Sequence, residues 1–270
     1  MIPVCLVGLG KNGIKVSRYV SSLISVKKLF INDEPGEGII ALPNDKVSFL
    51  ESEKVSTDYD EYFINMLNNY KGIDLKIVIS DFYDYYSLSL TKVFGKFSKK
   101  LHFNTLGIFF IPSKSEGNKY EIAQKELELM QDNFDLIIQI CKDDLLKAFR
   151  DIPIKLIDKA QTEVVYLLIK NIFETLSFQD FLNISSKSKY LGFGLGITDR
   201  MDKISEAYME AESSPWLSSG EKKFLIIFNG NLVEDDLNDV NKIIKFKDFD
   251  LRINKNIKQE RRIEVFILSY

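Results

Sequence analysis

Val4-Cys5-Leu6-Val7-Gly8-Leu9-Gly10-Lys11-Asn12-Gly13, followed by a helical pattern to Ile24, is the stretch around which the chain is organised. Val4 to Val7 is an apolar run of strand type. Ile14, Val16, Tyr19, Val20, Leu23 and Ile24 then give a helix one apolar face. The stretch therefore reads as strand, tight glycine turn, helix. Its glycines let the backbone approach a ligand closely, and amides at the helix N-terminus present partial positive charge to a phosphate. It also fits the pattern G-x-G-x-x-G, with an acidic residue, Asp33, about twenty residues beyond the last glycine. Gly8, Gly10, Lys11, Asn12 and Gly13, with Asn32 and Asp33 after the next strand, are the candidate nucleotide-binding residues. A plainer reading stands beside this one. The turn then only packs helix on strand, Lys11 is solvated, and Asp33 begins the turn that Pro35 continues.

The chain has 270 residues, more than one core usually organises, so two domains are expected. Lys+Arg 36 against Asp+Glu 39 leaves a net charge of -3, which provides no electrostatic footprint for nucleic acid or an anionic membrane. No apolar run is long enough to span a bilayer, and the N-terminal residues lack a signal-peptide layout, so no direct membrane insertion is expected. Cys5 and Cys141 lie in apolar strand-like runs and read as buried thiols, which fits a reducing, cytoplasmic setting. His102 is the single histidine and has no companion, so neither a His-based metal site nor a nucleophile relay is expected.

Beyond the first helix, Val26 to Ile31 reads as a second strand. Pro35, Gly36 and Gly38 mark a turn, and the segment on to Glu53 reads as short strands or loop. Tyr59 to Tyr70 is an amphipathic helix with Tyr62, Phe63, Met66, Leu67 and Tyr70 apolar, and the aromatics Tyr59, Tyr62 and Phe63 read as a core stripe. Ile73 to Ser80 is a strand, Tyr85 to Phe97 a helix, and Leu101 to Ile111 a long strand ended by Pro112. Lys119 to Met130 is helical and Phe134 to Ile140 a strand. Such alternation predicts a parallel sheet covered on both faces. Pro153 to Leu176 is the longest helical pattern, with Pro153 in its first turn. A second unit follows: strand (Tyr190 to Ile197), helix (Ile204 to Glu212), strand (Lys223 to Phe228) and helix (Val233 to Ile244). Two closing strands, Asp248 to Ile253 and Arg262 to Leu268, are expected to pair antiparallel. Arg261-Arg262 with Lys255 and Lys258 reads as a solvated hairpin, and Trp216 beside Pro215 as an anchor for the loop after its helix. The expected fold is α/β: a Rossmann-like parallel-sheet domain over 1–152, a long central helix over 153–178, and a smaller α/β domain over 179–270.

Four short motifs recur in a fixed order. They are Val16-Ser17-Arg18 in the first helix; Asn32-Asp33 after the second strand; Glu116-Gly117 leading by helix and strand to Asp143-Asp144-Leu145-Leu146; and Gly192-Phe193-Gly194 followed by Arg200, Ala207, Ala211, Ser213, Ser214, Pro215 and Leu217. In order and spacing they resemble the FtsZ/tubulin family, whose corresponding segments read VNR, NTD, FEG…IPNDRLL and SSPLL. The resemblance covers nearly the whole chain. It implies a GTP-binding domain, a central helix, a second domain, and a nucleotide lying between successive subunits.

The departures bear on function. After the strand equivalent to Ile73–Ile79 the family cradles phosphates on a loop reading GGGTGTG. Here Ser80-Asp81-Phe82-Tyr83-Asp84-Tyr85-Tyr86-Ser87 holds no glycine. Two like charges ~5 Å apart repel by ~3 kcal/mol at an effective dielectric of ~20, and a triphosphate multiplies that cost against Asp81 and Asp84. The plainer reading is that one of the two caps the next helix. The family's catalytic N-x-D-x-x-D aligns with Thr175-Leu176-Ser177-Phe178-Gln179-Asp180, so Asp180 is a remnant and no catalytic residue is assigned. Ser177 cannot supply a general base, and the base-reading asparagine becomes Lys142, which only donates. Four consecutive-range aromatics cannot share one buried face, so Tyr83, Tyr85 and Tyr86 are candidate interface residues.

The expected function is that of a non-hydrolysing pseudo-GTPase in cytoskeletal or cell-division assembly. Its expected partners are copies of itself or an active relative. No cofactor is expected to be needed, with GTP or GDP the only candidates. The chain stops at Tyr270 directly after a strand, so recruitment through a tail peptide is not expected. The alternative is a nucleotide- or dinucleotide-binding enzyme using the Gly8–Gly13 turn, for which no catalytic set is found.

Overall fold

Alternating apolar strands and amphipathic helices build two compact units, Met1–Lys189 and Tyr190–Tyr270. The computed structural model describes residues 3–51, 58–149, 153–199, 204–217, 222–230, 242–244, 248–254 and 263–270. The division falls at Lys189–Tyr190, so the long central helix and the helix after it both belong to the first unit. The sequence reading divides the chain at 152/153 and 178/179 instead.

The first unit runs β1 (Val4–Leu9), α1 (Gly10–Leu23), β2 (Lys27–Asn32), β3 (Ile39–Ala41), α2 (Asn44–Glu51), α3 (Asp58–Asn68), β4 (Leu75–Asp81) and α4 (Tyr85–Lys100). It continues with β5 (Thr105–Ile111), α5 (Asn118–Met130), β6 (Leu136–Cys141), α6 (Lys142–Ala148), α7 (Ile157–Thr175) and α8 (Phe178–Ser185). The strands form one parallel sheet in the order β3-β2-β1-β4-β5-β6. Every residue of β1, β4 and β5 is buried. Successive strand side chains point to opposite faces, so helices must cover both sides of the sheet. The strand order reverses between β1 and β4. The crevice outside the carboxyl ends of these two strands is the place where such sheets take ligands.

Several boundaries differ from the sequence reading for identifiable reasons. The segment after β3 is a helix, α2, because Val47 and Leu50 lie one turn apart on its buried side. The strand expected from Leu101 begins only at Thr105. Before it, α4 stops in a Schellman turn: the His102 N–H donates to Lys99 O (3.1 Å) and the Phe103 N–H to Ser98 O (2.9 Å). His102 holds the left-handed position, at φ 54°. The stripe on α3 is Phe63, Met66 and Leu67, whereas Tyr62 is exposed. The central helix is continuous from Ile157 to Thr175, entered by a 3-10 turn over Ile154–Leu156.

The second unit holds β7 (Gly192–Thr198), α9 (Ile204–Glu212), β8 (Phe224–Asn229), β9 (Phe249–Asn254) and β10 (Ile263–Ser269). Its sheet has the order β7-β10-β8-β9. The two closing strands are therefore not an antiparallel pair. β10 lies between β7 and β8, antiparallel to both, and β9 pairs parallel with β8. The physical reason is burial: β10 is covered along its whole length, as a central strand must be, while β9 is only half-buried. Tyr208, Ala211, Phe228 and Ile267 belong to the core between α9 and this sheet. Trp216 stacks on Phe193 with ring centroids 5.1 Å apart, and its carbonyl accepts from the Phe193 N–H, so it does anchor the loop after α9. Arg200, most of the expected Val233–Ile244 helix, and the Lys255, Lys258, Arg261 and Arg262 run lie outside the described residues.

Candidate functional site

The strand reversal brings two turns together, one after β1 and one after β4. In the first, Gly10 adopts φ +70°, a conformation that glycine takes without strain. Packing explains each glycine here. A Cβ on Gly8 would lie 2.8 Å from Ile14 Cα, one on Gly10 2.0 Å from Ser87 Oγ, and one on Gly13 2.2 Å from the Ile79 carbonyl oxygen. Strand, helix and the start of α4 thus meet at van der Waals contact across these three positions. Leu9 precedes α1 without any side-chain cap, so no side chain shields the N–H groups of its first turn in the usual way. Lys11 is exposed and Asn12 half-buried beside them.

The second turn is built differently. Asp84 caps α4: its Oδ1 accepts from the Ser87 N–H (2.8 Å) and its Oδ2 from Ser87 Oγ (2.7 Å). A carboxylate belonging to the chain thus occupies the positive end of the α4 dipole. Ser87 is also the residue against Gly10, so the cap and the glycine turn share one buried side chain. Asp81, at the end of β4, is 2% exposed. It accepts from the Tyr83 N–H at 3.3 Å. Burial, followed by the adjacent Asp84 charge, pushes the Asp81 carboxyl up to about 7.

The loop's four aromatics are placed differently. Phe82 is core, stacked on Phe109 at 5.0 Å. Tyr86 donates its hydroxyl to the Leu42 carbonyl (2.8 Å), tying the loop to the segment before α2. Tyr83 is half-buried, and burial first, then the Asp81 charge, raises its hydroxyl pKa. Tyr85 stands out at 66% exposed. Of the three tyrosines assigned to an interface, it is the one whose ring faces solvent.

The remaining candidates take up local roles. Asp33 Oδ1 accepts from the N–H of its neighbour Glu34 (3.0 Å), and the Asn32 carbonyl accepts from Leu42 N–H (2.7 Å). Both lie at the carboxyl end of β2, on the same sheet edge as the two turns. Lys142 pairs with Glu116 at 3.2 Å. Next to it, Asp143 accepts from Ser113 Oγ and from the Lys114 N–H (2.9 Å), joining the loops after β5 and β6. Those hydrogen bonds hold Asp143 below the usual carboxylate range. Asp180 forms a capping box with Ser177: its Oδ2 accepts from the Ser177 N–H (2.8 Å) and Oγ (2.7 Å), and Ser177 Oγ accepts from the Asp180 N–H (3.2 Å). Lys15 near the start of α1 lies 3.9 Å from Asp158 in the first turn of α7. Asp180 follows the other end of α7, a helix ~28 Å long, so the structure does not bring it to the glycine turn of its own molecule.

Sequence reasoning missed Ser87, which both turns use. The signal was available as the Asp84-x-x-Ser87 spacing of an N-cap. It also missed α8, because Ser177 and Asp180 were matched to a catalytic pattern although Ser-x-x-Asp resembles a capping box. Among the described residues no group of His, Cys, Asp and Glu could hold a metal ion, and no helix is long and apolar enough to cross a membrane.

No family model matches the chain. Curated relatives do: it is 29% identical over 134 residues to cell division protein FtsZ of Methanothermobacter thermautotrophicus, a match covering 46% of this chain and 35% of that protein. With cell division protein FtsZ 1 of Archaeoglobus fulgidus it shares 27% over 164 residues, covering 55% and 45%. The matches therefore span less than half the length of these relatives. Among solved structures, an empty FtsZ dimer of M. jannaschii superimposes with a TM-score of 0.76 at 17% identity, covering 100% of this chain and 88% of that one. GDP-bound monomeric CetZ1 of Haloferax volcanii gives 0.75 at 14%, covering 99% and 94%. Protofilaments of the TubZ of Bacillus thuringiensis give 0.74 at 10%, covering 99% and 86%.

Proposed function

Since this chain belongs to the FtsZ/tubulin superfamily, we propose that it is an assembly protein of that superfamily which does not hydrolyse GTP. One observation carries this reading. At the place where the resemblance puts a glycine phosphate loop, Asp84 caps α4 with its own carboxylate. A phosphate there would meet Asp84 and compete with it for the same amide. The cradle supplied by the loop is thus taken up from within. Two further observations support the reading. Asp180 and Ser177 are engaged in capping α8, and Lys142 is paired with Glu116.

Assembly then rests on protein surface. The exposed ring of Tyr85 sits on the face that the resemblance places between subunits. Buried aromatic anchors contribute about 2 kcal/mol or more at interface centres. The partners in this reading are copies of the chain itself or an active relative. Phosphate release from GTP, followed over rising protein concentration, tests the chemistry, and sedimentation with and without GTP tests the assembly. Expected are background release at every concentration and assembly that ignores GTP and weakens in Tyr85→Ala. Release that climbs with concentration and disappears in Asp180→Ala would falsify the reading.

A second reading has one observation in its favour. The N-terminus of α1 lacks a side-chain cap and has Lys11 beside it, which suits a nucleotide held on α1 alone. Such binding would be lost in Lys11→Ala without change in assembly.

A further inference from the structure

A cleft of about 510 Å³ runs beside α1, between Arg18, Ser21 and Ser22 of the helix, Lys28 and Phe30 of β2, and the Glu37-Gly38 turn before β3. We infer that this cleft binds a small phosphomonoester. The inference goes beyond the proposed function and depends on neither hydrolysis nor assembly. The cleft is also separate from the glycine turn. α1 starts at the carboxyl ends of the strands and runs back along the sheet, so Ser22 lies ~18 Å along the helix from Gly10. The volume is within the ~300–1,000 Å³ usual for small-molecule sites.

The geometry prepares a cation for a planar set of oxygens. The Arg18 guanidinium lies over the Phe30 ring, 5.6 Å from its centroid, and Nη2 donates to the Glu37 carbonyl. Two contacts thus fix the fork before a ligand arrives. The walls are tied as well. The Tyr70 hydroxyl donates to the Lys28 carbonyl (3.2 Å), and the turn is closed by the Ile39 N–H on the Gly36 carbonyl (3.0 Å). Gly38, at φ +65°, leaves the space above that turn open, since a Cβ there would meet nothing within 4 Å. On the helix side, the Ser21 and Ser22 hydroxyls donate to the Arg18 and Tyr19 carbonyls (3.1 and 2.7 Å). They take up lone pairs that would otherwise repel an anion. Among the described residues, neither Arg18 nor Lys28 has a carboxylate partner, and the cleft lining holds these two cations against the single acid Glu37. A carboxylate ligand would use one of the two cations. A phosphomonoester dianion uses both, with two oxygens on the Arg18 fork and the Lys28 ammonium as a point charge.

NMR titration of the nucleotide-free chain with phenyl phosphate tests the site, with acetate as the monoanion control. The amides of Ser21, Ser22 and Gly38 should shift to saturation with phenyl phosphate and not with acetate. Lys28→Gln should weaken binding and Glu37→Gln tighten it, each by about fivefold, as suits one solvent-facing charge. Ser22→Glu, an exposed helix position, should abolish it, while Lys11→Ala should leave it unchanged. Three results would overturn the proposal: no saturable shift at these amides in the wild type, an equal response to acetate, or affinities that ignore Lys28→Gln and Glu37→Gln. Shifts centred on Lys11 to Gly13 and lost in Lys11→Ala would overturn it too, by placing the anion on the glycine turn.

Discussion

The N-termini of α1 and α4 stand side by side at the carboxyl ends of adjacent parallel strands, yet they are finished in opposite ways. α1 begins with glycines, a positive φ and no side-chain cap. α4 opens on Tyr85 and Tyr86 after a turn that holds Asp81, Tyr83 and Asp84, and Asp84 caps it. In the proposed reading the first is half of a phosphate cradle retained and the second is the other half filled from within. The difference also shows what a glycine pattern reports. Gly8, Gly10 and Gly13 are all required by packing against Ile14, Ser87 and Ile79. The pattern would persist in a protein that bound nothing, so it announces the fold more firmly than the ligand.

The largest expected effect tests the packing half of this contrast. Gly13→Ala sets a methyl 2.2 Å from the Ile79 carbonyl, which is backbone and cannot step aside. Overpacking of that kind should cost about 3 kcal/mol in urea denaturation. A loss under ~1 kcal/mol would mean that the glycine is kept for some other purpose.

Next comes the cap. Asp84→Ala should cost ~1–2 kcal/mol, and Asp84→Asn much less, since asparagine caps as well. Equal losses for both would point to the charge and not the hydrogen bond.

Asp81 sets a pH dependence whose sign is fixed. Its folded pKa, about 7, lies above the unfolded value, so the folded chain holds more protons between those two values. Its contribution to stability is then fully present below pH ~4 and is lost as pH rises toward 7. Asp81→Asn should flatten that slope in thermal melts and gain most at pH 8. The smallest effect is expected outside both turns. His102→Gly relieves a left-handed residue at the end of α4 and should raise stability by about 0.5–1 kcal/mol.

Much of the fold is legible in the sequence. Val4–Val7, Ile77–Ile79 and Phe109–Ile111 are apolar runs that only a covered parallel sheet can bury, and the spacing of α7 specifies one long helix. The order of the second sheet is not legible in that way, because β10 and β9 are both short runs and only their partners tell central from edge. The helix α2 is hidden because two buried residues, Val47 and Leu50, leave little periodicity. At the site, the loss of loop glycines is plain from Asp81 to Tyr86. What a sequence cannot tell is which acid caps and which is buried, since that depends on Ser87 meeting Gly10 across the strand reversal.

The central claim of the proposed reading is that the chain's own carboxylate stands where the family resemblance puts a phosphate loop. Titration calorimetry of the purified, nucleotide-free chain with a slowly hydrolysed GTP analogue tests it most directly, with Asp84→Gly alongside. The account predicts no saturable binding to the wild type at millimolar ligand, and a detectable signal once Asp84 is removed. Saturable binding to the wild type, displaced by GDP and unchanged or weakened in Asp84→Gly, would contradict it.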